Sequence, residues 1–312
     1  MRNVLVTGSE GLIGRALVGL LERRGHTVQR FDLRARPEDP GRRDVLDPDA
    51  LRGAIAGCAG LVHLAAVSRV IHGERDPELC WRTNVDGTRH VIEAALQSRL
   101  RPWVLFASSR EVYGQPRRLP ATEDAPLEPV NVYGRSKLAA ERHVLGARGA
   151  GLRTGVVRLS NVYGSTADHA DRVVPAFARG AAAGAALRVD GREHVFDFTH
   201  LDDTVRGLHA LIEALDAGEA DLPPIHLLTG VPTTLGALAE LASAAGGGRS
   251  RIVDAPPRSF DVSHFHGDPS LSQRLLGWRA AIHVEEGVRR LVADFKRLLD
   301  GPRQHEGATG SA

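Results

Sequence analysis

The sequence predicts an α/β fold, in which a doubly wound parallel sheet forms a large domain and a smaller, discontinuous domain accompanies it. Short apolar segments alternate with amphipathic segments through the first half of the chain, and this rhythm changes after Asn161. Strands that alternate with helices form parallel β-α-β units with right-handed crossovers. The apolar segments also lack polar alternation, which is typical of a sheet that helices cover on both faces.

The individual elements follow from these patterns. Apolar runs predict strands at Asn3–Val6, Thr27–Phe31, Gly60–Leu64, Pro102–Ala107 and Thr154–Leu159. Amphipathic segments predict helices near Leu12–Arg24, Asp49–Ala56, Glu78–Gln97 and Tyr133–Ala147. After Asn161, short strands are predicted at Ala186–Val189 and Val195–Thr199.

These elements predict two domains and a tail. Residues 1–164 are expected to form the large domain, and segments near 201–228 are expected to return to it. Residues 165–301 are expected to form mainly the smaller, substrate-binding domain. The tail, residues 302–312, is polar and rich in small residues, so we expect it to be disordered.

Composition and charge exclude several classes of protein. The net charge is +2 and the arginines are interleaved with acidic residues, so we expect no nucleic-acid partner. No apolar run reaches the length of a membrane span and no signal peptide is visible, so we expect a cytoplasmic protein without a membrane partner. The cysteines, Cys58 and Cys80, fit a reducing compartment and lack zinc-ligand spacing.

A glycine-rich turn follows the first predicted strand and opens the first predicted helix. Gly8, Gly11 and Gly14 have the spacing G-x-x-G-x-x-G. Glycines permit a tight turn and the close approach of a pyrophosphate, which the N–H groups at a helix N-terminus attract. Asp32 ends the second strand, where a carboxylate binds a ribose 2′-hydroxyl and repels a 2′-phosphate. The pattern predicts NAD in preference to NADP, a discrimination that Arg34 would soften; a turn without ligand is the alternative.

A Y-x-x-x-K motif, from Tyr133 to Lys137, lies at the start of the fourth predicted helix. Residues four apart share a helix face, so the Lys137 ammonium is expected to lower the pKa of the Tyr133 phenol from about 10, and an oxidised nicotinamide would add positive charge. Tyr133 would then take a hydroxyl proton while hydride leaves for the cofactor. Ser109 would hydrogen-bond the same substrate oxygen. The motif alone also fits a helix-start tyrosine with a surface lysine, but the glycine turn upstream favours the catalytic interpretation.

Taken together, these motifs resemble the extended short-chain dehydrogenase/reductase superfamily, in its NAD-dependent nucleotide-sugar epimerase/dehydratase family. The resemblance runs from Val4 to about Leu299. Further stretches that carry it are Asp44-Val45-Leu46-Asp47, Val62-His63-Leu64-Ala65-Ala66, Asn84-Val85-Asp86-Gly87-Thr88, Phe106-Ala107-Ser108-Ser109-Arg110-Glu111-Val112-Tyr113-Gly114, Arg158-Leu159-Ser160-Asn161-Val162-Tyr163-Gly164, Phe196-Asp197-Phe198-Thr199-His200-Leu201-Asp202-Asp203 and Leu276-Gly277-Trp278. The resemblance implies a Rossmann-type domain that binds NAD, a small C-terminal domain that binds a nucleoside-diphosphate sugar, and a homodimer joined near Glu78–Gln97 and Tyr133–Ala147.

The resemblance also implies a role for individual residues. The implied catalytic residues are Ser109, Tyr133, Lys137 and Glu111. The implied cofactor contacts are Gly8, Gly11, Leu12, Ile13, Gly14, Asp32, Asp44, Val45, Leu64, Ala65, Ala66, Asn84, Ala107, Tyr133 and Lys137. The implied substrate contacts are Ser109, Asn161 and Arg258. We predict no metal site, because His264 and His266 beside Asp268 are more typical of a solvated loop.

Two positions depart from the family pattern. The family usually has an arginine that helps to bind the diphosphate where this chain has Phe196, although Arg258 resembles the second phosphate-side arginine. The family's thymidine-linked glucose 4,6-dehydratases carry Asp-Glu where this chain has Arg110-Glu111. An arginine is not a general acid near neutral pH, which argues against that type of dehydratase.

The resemblance favours a C4 epimerase that works through a transient 4-keto sugar. Dehydration or decarboxylation with Glu111 as a second base is an alternative, and Glu111 as a side chain that positions its loop is the other interpretation of that residue. A net NAD-dependent sugar oxidoreductase is a further alternative. A non-catalytic, cofactor-sensing protein is disfavoured, because Ser109, Tyr133 and Lys137 are all present.

Overall fold

A computed structural model describes residues 2–257 and 262–301 of the chain. Its strands are β1 (Asn3–Thr7), β2 (Thr27–Phe31), β3 (Gly60–His63), β4 (Trp103–Ser109), β5 (Thr154–Leu159), β6 (Asn161–Tyr163), β7 (Leu187–Asp190), β8 (Val195–Phe196), β9 (Phe198–His200), β10 (Ile225–Leu227), β11 (Thr233–Thr234) and β12 (Ile252–Ala255). Its α-helices are α1 (Leu12–Arg23), α2 (Pro48–Ile55), α3 (Val70–Arg75), α4 (Pro77–Trp81), α5 (Gly87–Gln97), α6 (Val132–Gly146), α7 (Val173–Ala183), α8 (Leu201–Ala217), α9 (Leu235–Gly246), α10 (Ser270–Leu276) and α11 (Val284–Leu299). A π-helical turn spans Arg82–Asp86, and 3₁₀ turns span Arg110–Tyr113 and Ala147–Ala150.

A parallel six-stranded sheet forms the centre of the large domain, with the strand order β10-β5-β4-β3-β1-β2. The chain runs from β1 outward to β2 and then returns to the other side of β1 to form β3. The order of the strands therefore reverses between β1 and β3. Ligands of such sheets bind in the crevice at the carboxyl ends of the strands, at this point of reversal. The predicted doubly wound parallel sheet is confirmed.

Helices cover both faces of this sheet, which explains why its strands lack polar alternation. Successive side chains of β1 point to opposite faces, and those from Val4 to Thr7 are buried. Val4 and Val6 pack in one core with α1 and α8. Leu5 packs in a second core with α2, α5 and α6. The segments near 201–228 that were predicted to return to the large domain supply α8 and β10.

The smaller domain has a separate core. Phe177 of α7, Leu238 of α9 and Leu291 of α11 pack together with Leu187 of β7. Two short sheets accompany these helices, one formed by β7 and β12 and the other by β8 and β11. Trp278 and Leu276 lie instead against the α8 core of the large domain, so the chain crosses between the two domains several times. The domain boundaries stay predictions.

The predicted helix Glu78–Gln97 contains an interruption that the sequence does not indicate. The structure has α4, a π-helical turn and α5 in succession. A π turn adds a residue to one helical turn and rotates the side chains that follow it. Asn84 lies in this turn, and its buried side chain bonds to the loop after β3.

The predicted strand Val195–Thr199 is two strands in the structure. β8 pairs with β11, whereas β9 pairs with β6 in another sheet. Asp197 lies between them and is fully buried. Its carboxylate accepts hydrogen bonds from Thr229 and from the Gly230 backbone N–H, and these partners fix the break between the strands.

Within residues 2–257 and 262–301, no helix is both long enough and apolar enough to span a bilayer. The predicted disordered tail lies outside the described residues. The homodimer and the cytoplasmic location stay predictions.

The packing of β3 against β4 predicts the effect of a single methyl group. A Cβ atom added at Gly60 would lie 2.0 Å from Cε2 of Trp103, whose ring is buried and whose indole N–H donates to Asp216. We expect Gly60→Ala to lower the free energy of unfolding by about 2 kcal/mol, because a packed core resists added volume. Urea denaturation followed by circular dichroism measures this change.

Gly53→Ala is the matched control, because Gly53 lies in α2 and a Cβ atom there would meet no atom within 4 Å. It is expected to raise stability by about 0.5–1 kcal/mol, because alanine favours the helix. Equal stabilities of the two variants would contradict the packing described for Trp103.

Candidate active site

A cavity of about 820 Å³ lies at the carboxyl ends of β1, β3 and β4, between the sheet and the smaller domain. It gathers nearly all of the residues that were predicted for the site. Those that line it are Gly8, Gly11, Leu12, Ile13, Gly14, Asp32, Asp44, Val45, Leu64, Ala65, Ala66, Ala107, Ser109, Glu111, Tyr133, Lys137 and Asn161. Their individual roles stay predictions. Arg258 lies outside the described residues.

The glycine turn occupies the point of strand reversal and leaves no room for side chains. Gly8 has a φ of +72°. A Cβ atom on Gly8 would lie 2.6 Å from the backbone nitrogen of Ala65, and one on Gly14 would lie 2.1 Å from the Gly8 carbonyl oxygen. The turn therefore packs directly on the backbone of the loop after β3, and both positions require glycine.

Helix α1 begins at this turn, and no side chain caps the N–H groups of its first turn. Gly11 is the N-cap, so no side chain caps the helix, and no acidic residue lies in the first turn. Free N–H groups and the positive end of the helix dipole attract phosphate. The turn and α1 together fit the pyrophosphate of NAD.

Asp32 lies beside the turn at the end of β2, buried and fixed in orientation. One carboxylate oxygen accepts from the Glu10 backbone N–H at 2.9 Å, and the other accepts from the Arg34 N–H at 2.8 Å. A carboxylate keeps further lone pairs on both oxygens. Asp32 therefore fits the ribose hydroxyls of NAD, and Arg34, whose Nε lies 3.5 Å from Asp32, screens part of its charge.

Asn84 differs from the other predicted cofactor contacts, because its side chain is buried behind the cavity wall. Its Oδ1 accepts from the Val67 backbone N–H at 2.8 Å, and its Nδ2 donates to the Val67 carbonyl and to Ser136 Oγ. Asn84 therefore ties the loop after β3 to α6 instead of facing the cavity. The π-helical turn gives the side chain this direction, and nothing in the sequence pattern indicates that turn.

Tyr133 and Lys137 are buried on the first turns of α6, beside the end of β4. The Lys137 ammonium donates to the Ala107 carbonyl oxygen at 2.8 Å and lies 4.8 Å from the centre of the Phe106 ring. Ser109 ends β4, and its hydroxyl lies close enough to Tyr133 to affect the pKa of the phenol. The motif therefore forms one compact group, as the sequence predicts.

The electrostatics of this group differ from the prediction. Burial raises the pKa of Tyr133 to about 12, and the hydrogen bond from Ser109 only partly opposes this effect. Burial also lowers the pKa of Lys137 to about 8. The prediction that Lys137 lowers the tyrosine pKa overlooked the cost of placing a phenolate in a buried site. In the protein alone, Tyr133 therefore holds its proton at neutral pH.

Glu111 is buried next to Ser109, and both of its carboxylate oxygens are engaged. Oε1 pairs with Nη2 of Arg110 at 2.8 Å, and Oε2 accepts from Nδ2 of Asn131 at 2.8 Å. Asn131 is also the N-cap of α6, because its Oδ1 accepts from the Gly134 N–H. Sequence reasoning missed Asn131, although an asparagine directly before a helix is a typical N-cap.

The smaller domain closes the far side of the cavity. Phe196 lines it, and the guanidinium carbon of Arg110 lies 4.6 Å from the centre of the Phe196 ring. Arg69, in the loop after β3, forms an ion pair with Asp171 in the segment before α7. These two residues are 102 positions apart, and no sequence signal relates them.

The H-x-H motif lies within the described residues. His264 hydrogen-bonds Ser263 and lies in a backbone bridge with Val195. Across the described part of the chain, no three His, Cys, Asp or Glu side chains lie close enough together to hold a metal ion.

A family model for the NAD dependent epimerase/dehydratase family matches residues 4–222. This chain belongs to the NAD-dependent epimerase/dehydratase family. The predictions of the family, of an enzyme and of NAD as its cofactor are confirmed.

Several known members of this family resemble the chain over nearly its whole length. It is 30% identical to UDP-glucose 4-epimerase of Mycolicibacterium smegmatis, over 94% of this chain and 98% of the relative. The crystal structure of UDP-glucose 4-epimerase from Thermotoga maritima with UDP-glucose superposes with a TM-score of 0.88, at 26% identity, over 96% of this chain and 100% of the other. MoeE5 in complex with UDP-glucuronic acid and NAD superposes with a TM-score of 0.85, at 29% identity, over 95% of this chain and 99% of the other.

The contact between the glycine turn and Ala65 predicts a loss of NAD binding in Gly8→Ala. The added methyl group would push the turn away from the loop after β3, and alanine is strained at the observed φ. We expect the dissociation constant for NAD to rise at least ~10-fold, equivalent to about 1.4 kcal/mol. Isothermal titration calorimetry measures it.

Gly57→Ala is the control for backbone strain, because Gly57 has a φ of +77° and a Cβ atom there would meet no atom within 4 Å. Its NAD affinity is expected to match that of the unmodified protein. If Gly8→Ala binds NAD equally well, the glycine turn does not form the pyrophosphate site.

The bond between Asn131 and Glu111 predicts a pH-dependent loss of stability in Asn131→Asp. The aspartate keeps an acceptor for Gly134 but places a second carboxylate beside Glu111. Two adjacent buried carboxylates raise one folded-state pKa above its unfolded value, so stability is retained at low pH and lost as pH rises through that folded pKa. We expect a deficit of about 2 kcal/mol at pH 8 and a smaller one at pH 5.

Urea denaturation at the two pH values measures the deficit. Asn131→Ala is the control, because it removes the hydrogen bond to Glu111, together with the one from Gly134, without adding a charge, and its deficit is expected to be similar at both pH values. An aspartate variant whose deficit does not change with pH would show that residue 131 does not adjoin the carboxylate of Glu111.

Proposed function

We propose that this member of the family is an NAD-dependent nucleotide-sugar epimerase that acts at C4 through a transient 4-keto sugar. The observation that carries this proposal is the engagement of both Glu111 oxygens beside a buried Ser109–Tyr133–Lys137 group. This arrangement supplies one acid/base group for a hydroxyl and withholds the second carboxylate from the sugar.

The substrate class rests on the cavity and on the relatives. Two similar structures hold UDP-glucose or UDP-glucuronic acid, and they match this chain over nearly its whole length. The cavity of about 820 Å³ extends from the glycine turn to Phe196 in the smaller domain. A cofactor on the sheet side and a nucleoside-diphosphate sugar on the far side would share it, and the reacting carbon would lie near Ser109 and Tyr133.

Tyr133 would move the proton of the sugar 4-hydroxyl. NAD, held by the glycine turn and Asp32, would supply a hydride acceptor and donor for C4, and its oxidised ring would bring a positive charge to the site. That charge lowers the pKa of Tyr133 from the raised value set by burial. The phenolate then takes the hydroxyl proton as the C–H bond breaks, and Ser109 orients the oxygen.

Epimerisation requires the ketone to present its other face before the reaction reverses. Tyr133 would return its proton to the oxygen as hydride rejoins C4 from that side. Substrate and product have the same mass, and NAD is not consumed. Lys137 would hold the ribose beside the nicotinamide and keep a positive charge near Tyr133.

The environment of Glu111 favours this reaction over elimination. A base at C5 needs a carboxylate lone pair directed at the sugar, whereas the Glu111 carboxylate is held between Arg110 and Asn131, with one partner on each oxygen. Arg110 also occupies the position at which the dehydratases that the sequence resembles have an acid. The positioning role of Glu111 is therefore the better supported of its two interpretations.

The experiment that tests this function is product analysis with the purified enzyme and NAD, without external reductant. Hexoses and hexuronates linked to UDP, GDP, CDP and dTDP form the substrate panel, and NMR with mass spectrometry identifies the products. A product of unchanged mass and inverted C4 configuration supports the proposal. Loss of water or carbon dioxide, or stoichiometric formation of NADH, would contradict it.

The acid/base role of Tyr133 predicts that Tyr133→Phe loses turnover at least ~100-fold, which is the usual contribution of a positioned proton-transfer group. NAD affinity is expected to change little. Tyr113→Phe is the matched control, because it removes a buried hydroxyl that bonds His226 and Arg158 away from the cavity. The control is expected to lower thermal stability and retain turnover. Near-normal turnover of Tyr133→Phe would rule out the mechanism.

A further inference from the structure

We propose that Arg110 binds an oxyanion of the substrate next to the reacting hydroxyl, and so determines which nucleotide sugars the enzyme accepts. The inference rests on the proposed function, because it takes the substrate to be a nucleoside-diphosphate sugar. Such a substrate offers two kinds of oxyanion: the diphosphate, which all of these sugars have, and the carboxylate of a hexuronate.

The position of Arg110 is the first support. It begins the 3₁₀ turn directly after Ser109 and lines the same cavity. Ser109 and Tyr133 line that cavity too, so the guanidinium lies near the group that would hold the reacting oxygen. A substituent elsewhere on the same sugar, or the phosphate attached to it, is therefore within reach.

The incomplete hydrogen bonding of Arg110 is the second support. Its side chain is only 11% exposed, and Nη2 pairs with Glu111. Nη1 is buried and has no hydrogen-bond partner within the described ranges. A buried donor without a partner costs about 1–3 kcal/mol, and more when it is charged. An acceptor from the substrate would recover that cost.

The surroundings of the guanidinium are the third support. Phe196 lies 4.6 Å from its central carbon, and Phe265 lies 5.7 Å away. The two rings hold the guanidinium by cation–π contact but offer it no hydrogen-bond acceptor. A planar guanidinium matches the paired oxygens of carboxylate and phosphate, so an oxyanion is the acceptor that this geometry favours.

The ion pair with Glu111 fixes Arg110 at the cavity. Glu111 compensates Arg110 in the protein alone, and Asn131 donates to Glu111 from its other side. The carboxylate is thus held by two partners and remains in place when Arg110 also binds a ligand through Nη1. Arg110 would then form a bridge between Glu111 and the substrate.

Equilibrium binding to the NAD-loaded enzyme tests the inference. The ligands are UDP, UDP-glucose and UDP-glucuronate, and the variants are Arg110→Gln and Arg110→Lys. Arg117→Gln is the matched control, because Arg117 is 79% exposed and pairs only with Glu128 at the surface. Thermal unfolding shows which variants are folded. Arg110→Lys keeps the charge but not the planar guanidinium. If Arg110→Gln does not fold, the affinities of Arg110→Lys for the three ligands are compared instead.

We expect Arg110→Gln to weaken binding at least ~10-fold, the effect of losing about 1.4 kcal/mol. Weaker binding of all three ligands would assign the diphosphate to Arg110. Weaker binding of UDP-glucuronate alone would assign the carboxylate. Unchanged affinity for all three ligands in folded Arg110 variants would overturn the inference and leave the proposed function intact. An unmodified enzyme that binds none of them would overturn both.

Discussion

The carboxylate of Glu111 joins the two elements on which the site depends. It lies in the turn after β4 and accepts from Asn131, which is the N-cap of α6. The end of β4 carries Ser109, and the first turn of α6 carries Tyr133. One buried carboxylate therefore fixes the distance between the residue that orients the substrate oxygen and the residue that moves its proton. Arg110 completes the arrangement, because an unpaired buried carboxylate would be strongly destabilising.

The same constraint accounts for the chemistry that we propose. Glu111 is held by Arg110 on one oxygen and by Asn131 on the other, so its carboxylate is poorly placed to remove a carbon-bound proton. The proton-transfer group beside Ser109 is then Tyr133, whose pKa burial raises to about 12. A tyrosine of this kind becomes a base only beside added positive charge, and oxidised NAD brings that charge. Transfer of the hydroxyl proton is thereby coupled to transfer of hydride from the carbon that bears the hydroxyl. This coupling suits a reaction that runs forward and then reverses.

Much of the fold and of the site could be predicted from local patterns. The apolar strands and the glycine turn appear as continuous stretches of sequence, and the cavity gathers the residues that they indicate. The features that were missed depend on contacts between distant segments. The π-helical turn turns Asn84 away from the cavity, and Asp197 divides one predicted strand into two. Burial raises the pKa of Tyr133 in the protein alone, which motif spacing could not show, because it indicates a neighbouring charge but not the degree of burial.

Proton NMR of the reaction in D₂O, with UDP-glucose or UDP-glucuronate and a trace of NAD, tests most directly whether Glu111 positions its neighbours or acts as a base. The hydrogen on C4 leaves and returns as hydride, so epimerisation without a second base gives a C4-inverted product whose C4 and C5 both keep protium. We predict that result. Deuterium at C5 without loss of carbon dioxide, or loss of the C5 signal with elimination of water, would show that a base attacks that carbon and would contradict the account.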